Sequence, residues 1–425
     1  MTGLYAILLF LAFLALRVPI AIALGLASVS YLFFFADIPI IIVVQQMASA
    51  IDKFTLMAIP FFIMAGGIME HGGISKKLIQ FASAVVGFFP GGLAMVMVFA
   101  SMLFAGMTGS GAADAAAIGS IVIPAMVRAG YGVDFSCALQ ATAGIVGPLI
   151  PPSILMVLFG VSAGTSVGDM LLAGFIPGVL MGLLTMAAAV FISVKRGYKR
   201  EGSFSVKNLG GAFKDAFWAL LTPIIIMGGI YSGIFTPTEA AAVAVLYSLF
   251  VGLFIYKGLT IKNLPKVIFQ TILLSSAVMI IVATSQAFSW ILTREGLPHL
   301  LADLFKGISS NSLIFLFSSS LMLLLVGCFL DPAPSVLILA PILTPVAESF
   351  GINPVHFGVI MVASMCIGLI TPPVGLNIFV ISGIANRPVH KIIKEIFPFL
   401  IASVIALILI IVFPGLSLYL PSLSR

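Results

Sequence analysis

The chain has 425 residues, of which 61% are hydrophobic and 8% charged, whereas a soluble domain is about 45–50% apolar and about 25% charged. That balance excludes a cytosolic enzyme, a nucleic-acid-binding protein and a disordered scaffold. Apolar stretches of roughly 18–30 residues fit a bilayer core of roughly 30 Å, not the roughly 10-residue alternating segments of a β-barrel. The net charge of +6 is a topology signal, because basic residues gather on the cytoplasmic side of helical membrane proteins.

Met1 to Phe35 is apolar and lacks an A-x-A-like cleavage site followed by a polar mature domain, so it is expected to stay as a membrane helix. Next comes an apolar hairpin at about residues 95–126, whose tip FAGMTGSGAADAA (Phe104 to Ala116) interrupts the apolar run with Thr108-Gly109-Ser110-Gly111. A stretch at about 134–165 follows, broken midway by Gly147-Pro148-Leu149-Ile150-Pro151-Pro152. One unbroken helix of about 32 residues would span about 48 Å, well beyond the membrane core, so two half-helices with an unwound centre are expected. Glu239 in FTPTEAAA stands at a helix start, with Thr236 or Thr238 as cap. A second hairpin spans about 312–348, its tip LVGCFLDPAPSVL (Leu325 to Leu337) carrying Asp331-Pro332 and Pro334-Ser335. A second broken stretch spans about 354–386, with Gly368-Leu369-Ile370-Thr371-Pro372-Pro373 at its centre, and a last helix occupies 387–425. Proline stops a helix, and irregular backbone at membrane depth survives only where protein or a wet cavity surrounds it.

The two sets match. An offset of 221 residues carries Gly106 onto Gly327, Pro124 onto Pro345, Gly130 onto Gly351, Gly147 onto Gly368 and Pro151-Pro152 onto Pro372-Pro373. Upstream, Pro60 to Gly67 resembles Pro223 to Ile230 at an offset of 163. A duplication follows, with repeats at 55–195 and 217–386 inside a single membrane domain.

Charge orients the repeats. With Lys195, Arg196, Lys199 and Arg200 placed inside, Lys76, Lys77, Arg128, Lys257 to Lys266, Arg387, Lys391 and Lys394 fall inside too. Of the 20 Lys and Arg, four fall outside (Lys53, Arg294, Lys306 and Arg425) and Arg17 sits within the first helix. The first hairpin then enters from inside and the second from outside. Inverted repeats with broken helices meeting near the midplane mark secondary transporters, where unwound carbonyls hold Na⁺ and half-helix N-termini face anions.

Ionisable groups at membrane depth are few and are functional candidates by default. Asp114 lies just past the first tip, and Asp331, which aligns with Ser110, lies at the second. The three cysteines, Cys137, Cys328 and Cys366, lie in apolar stretches and form no disulfide framework. The four histidines form no H-E-x-x-H pair, and no Walker A pattern occurs, so uphill transport would draw on an ion gradient rather than ATP.

The motifs TGSGAADAAAIGS, GPLIPPS, FTPTEAAAVAV, LDPAPSVLILAPILTPV and GLITPPVGLN follow one another in this order along the chain. In this the sequence resembles the large membrane subunit of TRAP (tripartite ATP-independent periplasmic) transporters. The resemblance implies an all-α polytopic membrane protein with an elevator-type, ion-transporter-like fold. It also implies Na⁺-driven uptake of organic acids at the bacterial inner membrane, with a small four-helix membrane subunit and a periplasmic substrate-binding protein as partners. Because the pattern starts at once, the small subunit is expected as a separate chain. C4-dicarboxylates and sialic acids are among the family's substrates, and overall likeness leans toward a sialic acid. The orientation above gives a cytoplasmic N-terminus and a periplasmic C-terminus.

At least two Na⁺ sites are expected. One is placed at Thr108, Ser110, Gly147, Ile150 and Pro152, and the other at Gly327, Asp331, Gly368, Thr371 and Pro373. The substrate carboxylate is placed near Ser110, Ser153 and Asn377, and the binding protein is expected to dock near Arg294 and Ser166. Two other readings use parts of the same pattern. A stand-alone Na⁺/dicarboxylate symporter would need no binding protein. An intramembrane aspartyl protease would need Asp114 and Asp331 to converge, and it leaves the duplicated prolines unexplained.

Overall fold

The computed structural model describes residues 3–198, 200 and 205–424; Lys199 and Arg425, used above in the charge bias, lie outside the described residues. Every regular element among the described residues is helical, as a backbone without water to bond its N–H and C=O groups requires. Nine of these helices are long and apolar enough to cross a membrane.

The first half begins with α1 (Gly3–Ala15), α2 (Ile20–Phe35) and α3 (Ile41–Ile51), and a 3-10 turn at Phe54–Met57 leads into α4 (Ala58–His71) and α5 (Ile74–Val86). α6 (Gly92–Thr108) and α7 (Gly111–Arg128) form a hairpin. α8 (Val133–Gly144) and α9 (Ile154–Ala163) are two halves of a broken helix, followed by α10 (Val167–Lys195). The second half contains α11 (Val206–Tyr231), α12 (Pro237–Phe250), α13 (Leu264–Arg294) and α14 (Leu297–Ile308). Then come the hairpin α15 (Ser312–Phe329) and α16 (Pro332–Ser349), the broken helix α17 (Pro354–Gly368) and α18 (Leu376–Ala385), and finally α19 (Val389–Val412) and α20 (Gly415–Leu423). Thr236 and Glu239 form a capping box that starts α12, so Glu239 is a structural carboxylate.

The packing repeats with the halves exchanged. α6 lies on α8 as α15 lies on α17, and α7 lies on α18 as α16 lies on α9. Each hairpin's second arm therefore packs on the other half's broken helix, the pattern of a pseudo-two-fold. The same exchange pairs α4 with α12 and α13 with α3. The upstream match is thereby corrected. Pro60 to Gly67 lies in α4, whose counterpart is α13, not the α11 segment Pro223 to Ile230. α4 enters α5, and α13 enters α14, through a left-handed glycine, Gly73 (φ 78°) and Gly296 (φ 74°) respectively, and each short helix then leads into a hairpin.

Two expected single helices are divided. Arg17 sits not within a helix but in the turn between α1 and α2, at φ 63°, because Pro19 removes a donor and pushes Val18 away from helical geometry. Phe413-Pro414 likewise separates α19 from α20. Three ion pairs tie helices together at residues expected inside: Lys77 with Asp215 at 2.7 Å, Arg196 with Glu395 at 2.6 Å and Arg387 with Asp134 at 2.9 Å. All are partly exposed and screened by solvent, so they contribute little to stability.

The N-terminal hairpin links the sides assigned to the N-terminus and to Arg294. A Cβ on Gly3 would lie 2.9 Å from Cβ of Glu295, Phe10 meets Phe288 at 5.4 Å and Tyr5 stacks on Phe35 at 4.9 Å. α1 thus runs antiparallel to the end of α13, and residue 3 shares a side with Arg294. A cytoplasmic N-terminus and an outside Arg294 exclude each other. With the basic loops held inside, residue 3 falls outside. Single cysteines replacing Glu295 and the exposed Leu4 are therefore expected to react with a membrane-impermeant maleimide from the periplasmic face, above a background kept low because the native cysteines are buried. Labelling of the two from opposite faces would contradict this packing.

Candidate transport site

At the first tip α6 ends on Gly109, whose left-handed φ of 62° turns the chain, and Ser110 is extended before α7 starts. The turn brings α7 back so that Asp114, in its first helical turn, faces the end of α6. Thr108 Oγ1 donates to Asp114 Oδ1. Asp114 is 0% exposed, and its Oδ2 has no hydrogen-bond partner among the described residues. The backbone of Asp114 is held from below: Gln140 Nε2 donates to its carbonyl at 3.3 Å and to Ser101 Oγ at 3.3 Å.

The first break closes around this carboxylate. A Cβ on Gly147 would fall on Asp114 Oδ2, and one on Gly109 would fall on the Pro152 carbonyl. A Cβ on Gly111 would lie 2.7 Å from the Gly144 carbonyl. Tip and break are thus in backbone contact that only glycine allows. Ser153 caps α9 by accepting from Met156 N at 3.2 Å while its hydroxyl donates to the Pro148 carbonyl. The result is a buried carboxylate oxygen without a donor, beside unwound backbone. A buried, unpaired acceptor is costly, and hard oxygen ligands of this kind suit a small cation rather than a soft metal. No group of three or more His, Cys, Asp or Glu that could hold a metal ion exists among the described residues.

The second tip meets the second break in the same manner. A Cβ on Gly368 would fall on the Gly327 carbonyl carbon, and one on Gly327 would lie 2.9 Å from the Met365 carbonyl. Gly375 N donates to the Cys328 carbonyl at 3.3 Å, closing the tip onto the break. Thr371 Oγ1 donates to the Ile367 carbonyl at 2.7 Å, which leaves its lone pairs free to accept. Asp331 Oδ1 accepts from Ala333 N at 2.9 Å and so caps α16.

A cavity of about 840 Å³ joins the two tips. Thr108, Ser110 and Ala113 of the first tip and Asp331 and Ala333 of the second line it. α4 supplies Gly66, Gly67, Glu70 and His71, and α13 supplies Gln270 and Thr271 with apolar neighbours. α4 touches the first tip directly, since a Cβ on Gly66 would lie 3.1 Å from Thr108 Cα.

The profile of the family described as "Tripartite ATP-independent periplasmic transporter, DctM component" matches residues 7–416. The chain belongs to this family. It is 41% identical to the sialic acid TRAP transporter large permease SiaM of Vibrio cholerae, covering 95% of each chain. It is 38% identical to the C4-dicarboxylate large permease DctM of Rhodobacter capsulatus, covering 98% of each. Its fold is similar to two solved transporters. These are YdaH of Alcanivorax borkumensis (TM-score 0.65, 16% identity, 97% of this chain and 98% of the other) and MtrF of Neisseria gonorrhoeae (0.65, 11%, 96% and 94%).

In this TRAP permease chain the expected residues fall into three groups. Thr108 and Gly147 come together around Asp114, the Pro152 carbonyl lies against Gly109, and Gly327 and Gly368 lie on one another. Ile150 packs against α10 at Gly178, and Pro373 is exposed beside the break. Of the residues expected to hold substrate, Ser110 lines the cavity, but Ser153 and Asn377 do not. Ser153 serves as a helix cap, and Asn377 is 1% exposed and donates to the Ala141 carbonyl at 3.2 Å. Asp114, absent from the expected ligand set, is the central missing member, signalled only by an acid six residues past Thr108. Asp114 and Asp331 are not hydrogen-bonded to each other; one is sealed by the break and the other caps a helix, so no acid dyad forms. At the expected docking residues, the Arg294 guanidinium lies 5.6 Å over the Trp290 ring, and Ser166 caps α10 by accepting from Asp169 N at 3.1 Å.

Proposed function

We propose that the chain is the permease of a Na⁺-driven uptake system for an organic acid anion in the bacterial inner membrane. The observation that carries this reading is the duplicated junction: a glycine-lined tip closed on unwound backbone, twice, with both tips on one cavity. The first junction offers Asp114 Oδ2, the Thr108 hydroxyl and the carbonyls of the first break to one Na⁺. The second offers the carbonyls around Gly327 and Gly368, the Thr371 hydroxyl and the Asp331 carboxylate to another. Two sodium charges beside the tips favour an anion in the cavity, where Ser110 and the helix N-termini that begin at the tips supply donors.

Glu70 and His71 end α4, close in sequence to Lys76 and Lys77. With the basic loops inside, the cavity opens to the cytoplasm, an inward-facing state. Movement of the hairpins and broken helices past α4 and α13 would carry the site to the other face, as an elevator. Relatives named for sialic acid, C4-dicarboxylate and isethionate transport share one substrate feature, an anionic group. A periplasmic binding protein delivers the substrate, docking on the outward surface near Arg294 and Ser166, and a small membrane subunit completes the system.

The test is uptake by proteoliposomes holding the permease, its small subunit and the binding protein. An inward Na⁺ gradient is expected to drive accumulation that K⁺ or choline gradients do not. Equal accumulation with choline would overturn Na⁺ coupling, and full uptake without binding protein would favour the stand-alone symporter.

A further inference from the structure

Asn377 belongs to the second half of the chain, yet its side chain works in the first. Its backbone N donates to the Leu369 carbonyl at 3.1 Å within the second break. Two residues earlier, Gly375 N bonds the Cys328 carbonyl of the second tip. The position of Asn377 is therefore set by how the second tip closes on the second break.

The amide then reaches across. Nδ2 donates to the Ala141 carbonyl of α8 at 3.2 Å. It also sits beside Gly144: a Cβ there would lie 3.1 Å from Asn377 Nδ2 and 2.8 Å from the Gly111 carbonyl. Gly111 and Gly144 are where the first tip meets the first break, one turn from Asp114. Asn377 Oδ1 is buried without a partner among the described residues, a state worth relieving because an unsatisfied buried acceptor is penalised. The counterpart at the 221-residue offset is Met156, whose thioether can at most accept weakly. The bridge therefore exists once, running from the second junction to the first.

We propose that Asn377 is a positioning residue that couples the two cation junctions, so that closing the second around Na⁺ organises the first. The proposal rests on the Na⁺-driven reading above. Coupling between two sites needs an element whose placement both sites bias. The amide is placed to be that element, because its backbone belongs to one break and its hydrogen bond to the helix entering the other.

Uptake is measured against Na⁺ concentration in the reconstituted complex. The wild type is expected to give a sigmoidal curve. Asn377→Leu, of similar volume but without polar atoms, is expected to lower the Hill slope to about 1 and to raise half-saturating Na⁺ about 10-fold, within the usual range of coupling. Asn377→Ser, which keeps a donor and an acceptor, is expected to restore a slope above that of Asn377→Leu, and Met156→Leu to leave the curve unchanged. If Asn377→Leu does not yield folded protein, Asn377→Ala is read in its place. If uptake is lost at every Na⁺ concentration, the Na⁺-dependent thermal shift of the purified complex gives the slope. A wild-type slope and half-saturation in the Asn377 variants would overturn the coupling. Wild-type uptake that ignores Na⁺ would instead defeat the underlying reading, and the two failures are told apart by the wild-type curve.

Discussion

Replacing Asp114 by alanine is expected to raise half-saturating Na⁺ by about 100-fold or more, or to abolish Na⁺-driven uptake outright. The carboxylate is fully buried, one oxygen is bonded by Thr108, and the other faces the break with no donor. Removing one partner of a buried charge pair costs about 3–5 kcal/mol, and about 1.4 kcal/mol is a tenfold change in affinity. Thr108→Val should do less, about 10-fold, because it removes one hydrogen bond to a charged group and leaves the charge. Membrane expression and thermal stability of the complex without Na⁺ separate ligand loss from misfolding. An Asp114→Ala permease with the wild-type Na⁺ curve would remove the first junction from the account.

Gly368→Ala is expected to lower uptake at least 10-fold in protein that still reaches the membrane. The new methyl would fall on the carbonyl carbon of Gly327, with its Cα 2.6 Å away. Backbone on both sides cannot rotate aside as a side chain can, and forcing extra volume into a packed interface costs about 1–3 kcal/mol. The tip must then lift from the break, which opens the second junction. Gly383→Ala, on the following half-helix with nothing within 4 Å of its would-be Cβ, is the control and should behave as wild type. Equal behaviour of the two variants would mean that the tight contact at Gly368 has no role in transport.

The hairpins and breaks were legible because proline and glycine act locally: they stop helices whatever surrounds them, and here they recur at one offset. The role of Asp114 was not legible. It depends on the left-handed turn at Gly109 returning α7 along α6, which brings a side chain six residues away onto Thr108. The contact of Asn377 with the first half of the chain was hidden for a similar reason. The residue's place in the first turn of a half-helix was plain, but which way that turn faced depended on α18 packing against α7 and α8, a contact between halves. The match of Pro60–Gly67 to Pro223–Ile230 came from composition shared by apolar glycine-bearing helices, and only the exchange of α4·α12 for α13·α3 identified the true counterpart. At the N-terminus the signal was present in Val18-Pro19 but was overridden by the length of the apolar run.

The most direct test of the central claim, that each tip and its break enclose one Na⁺, is a pair of cryo-EM maps of the complex in sodium chloride and in choline chloride. The account predicts density present only with sodium at two positions, one beside Asp114, Thr108 and Gly147, the other beside Gly327, Gly368 and Thr371. Maps that are identical at both junctions, or sodium-dependent density only elsewhere in the chain, would contradict it.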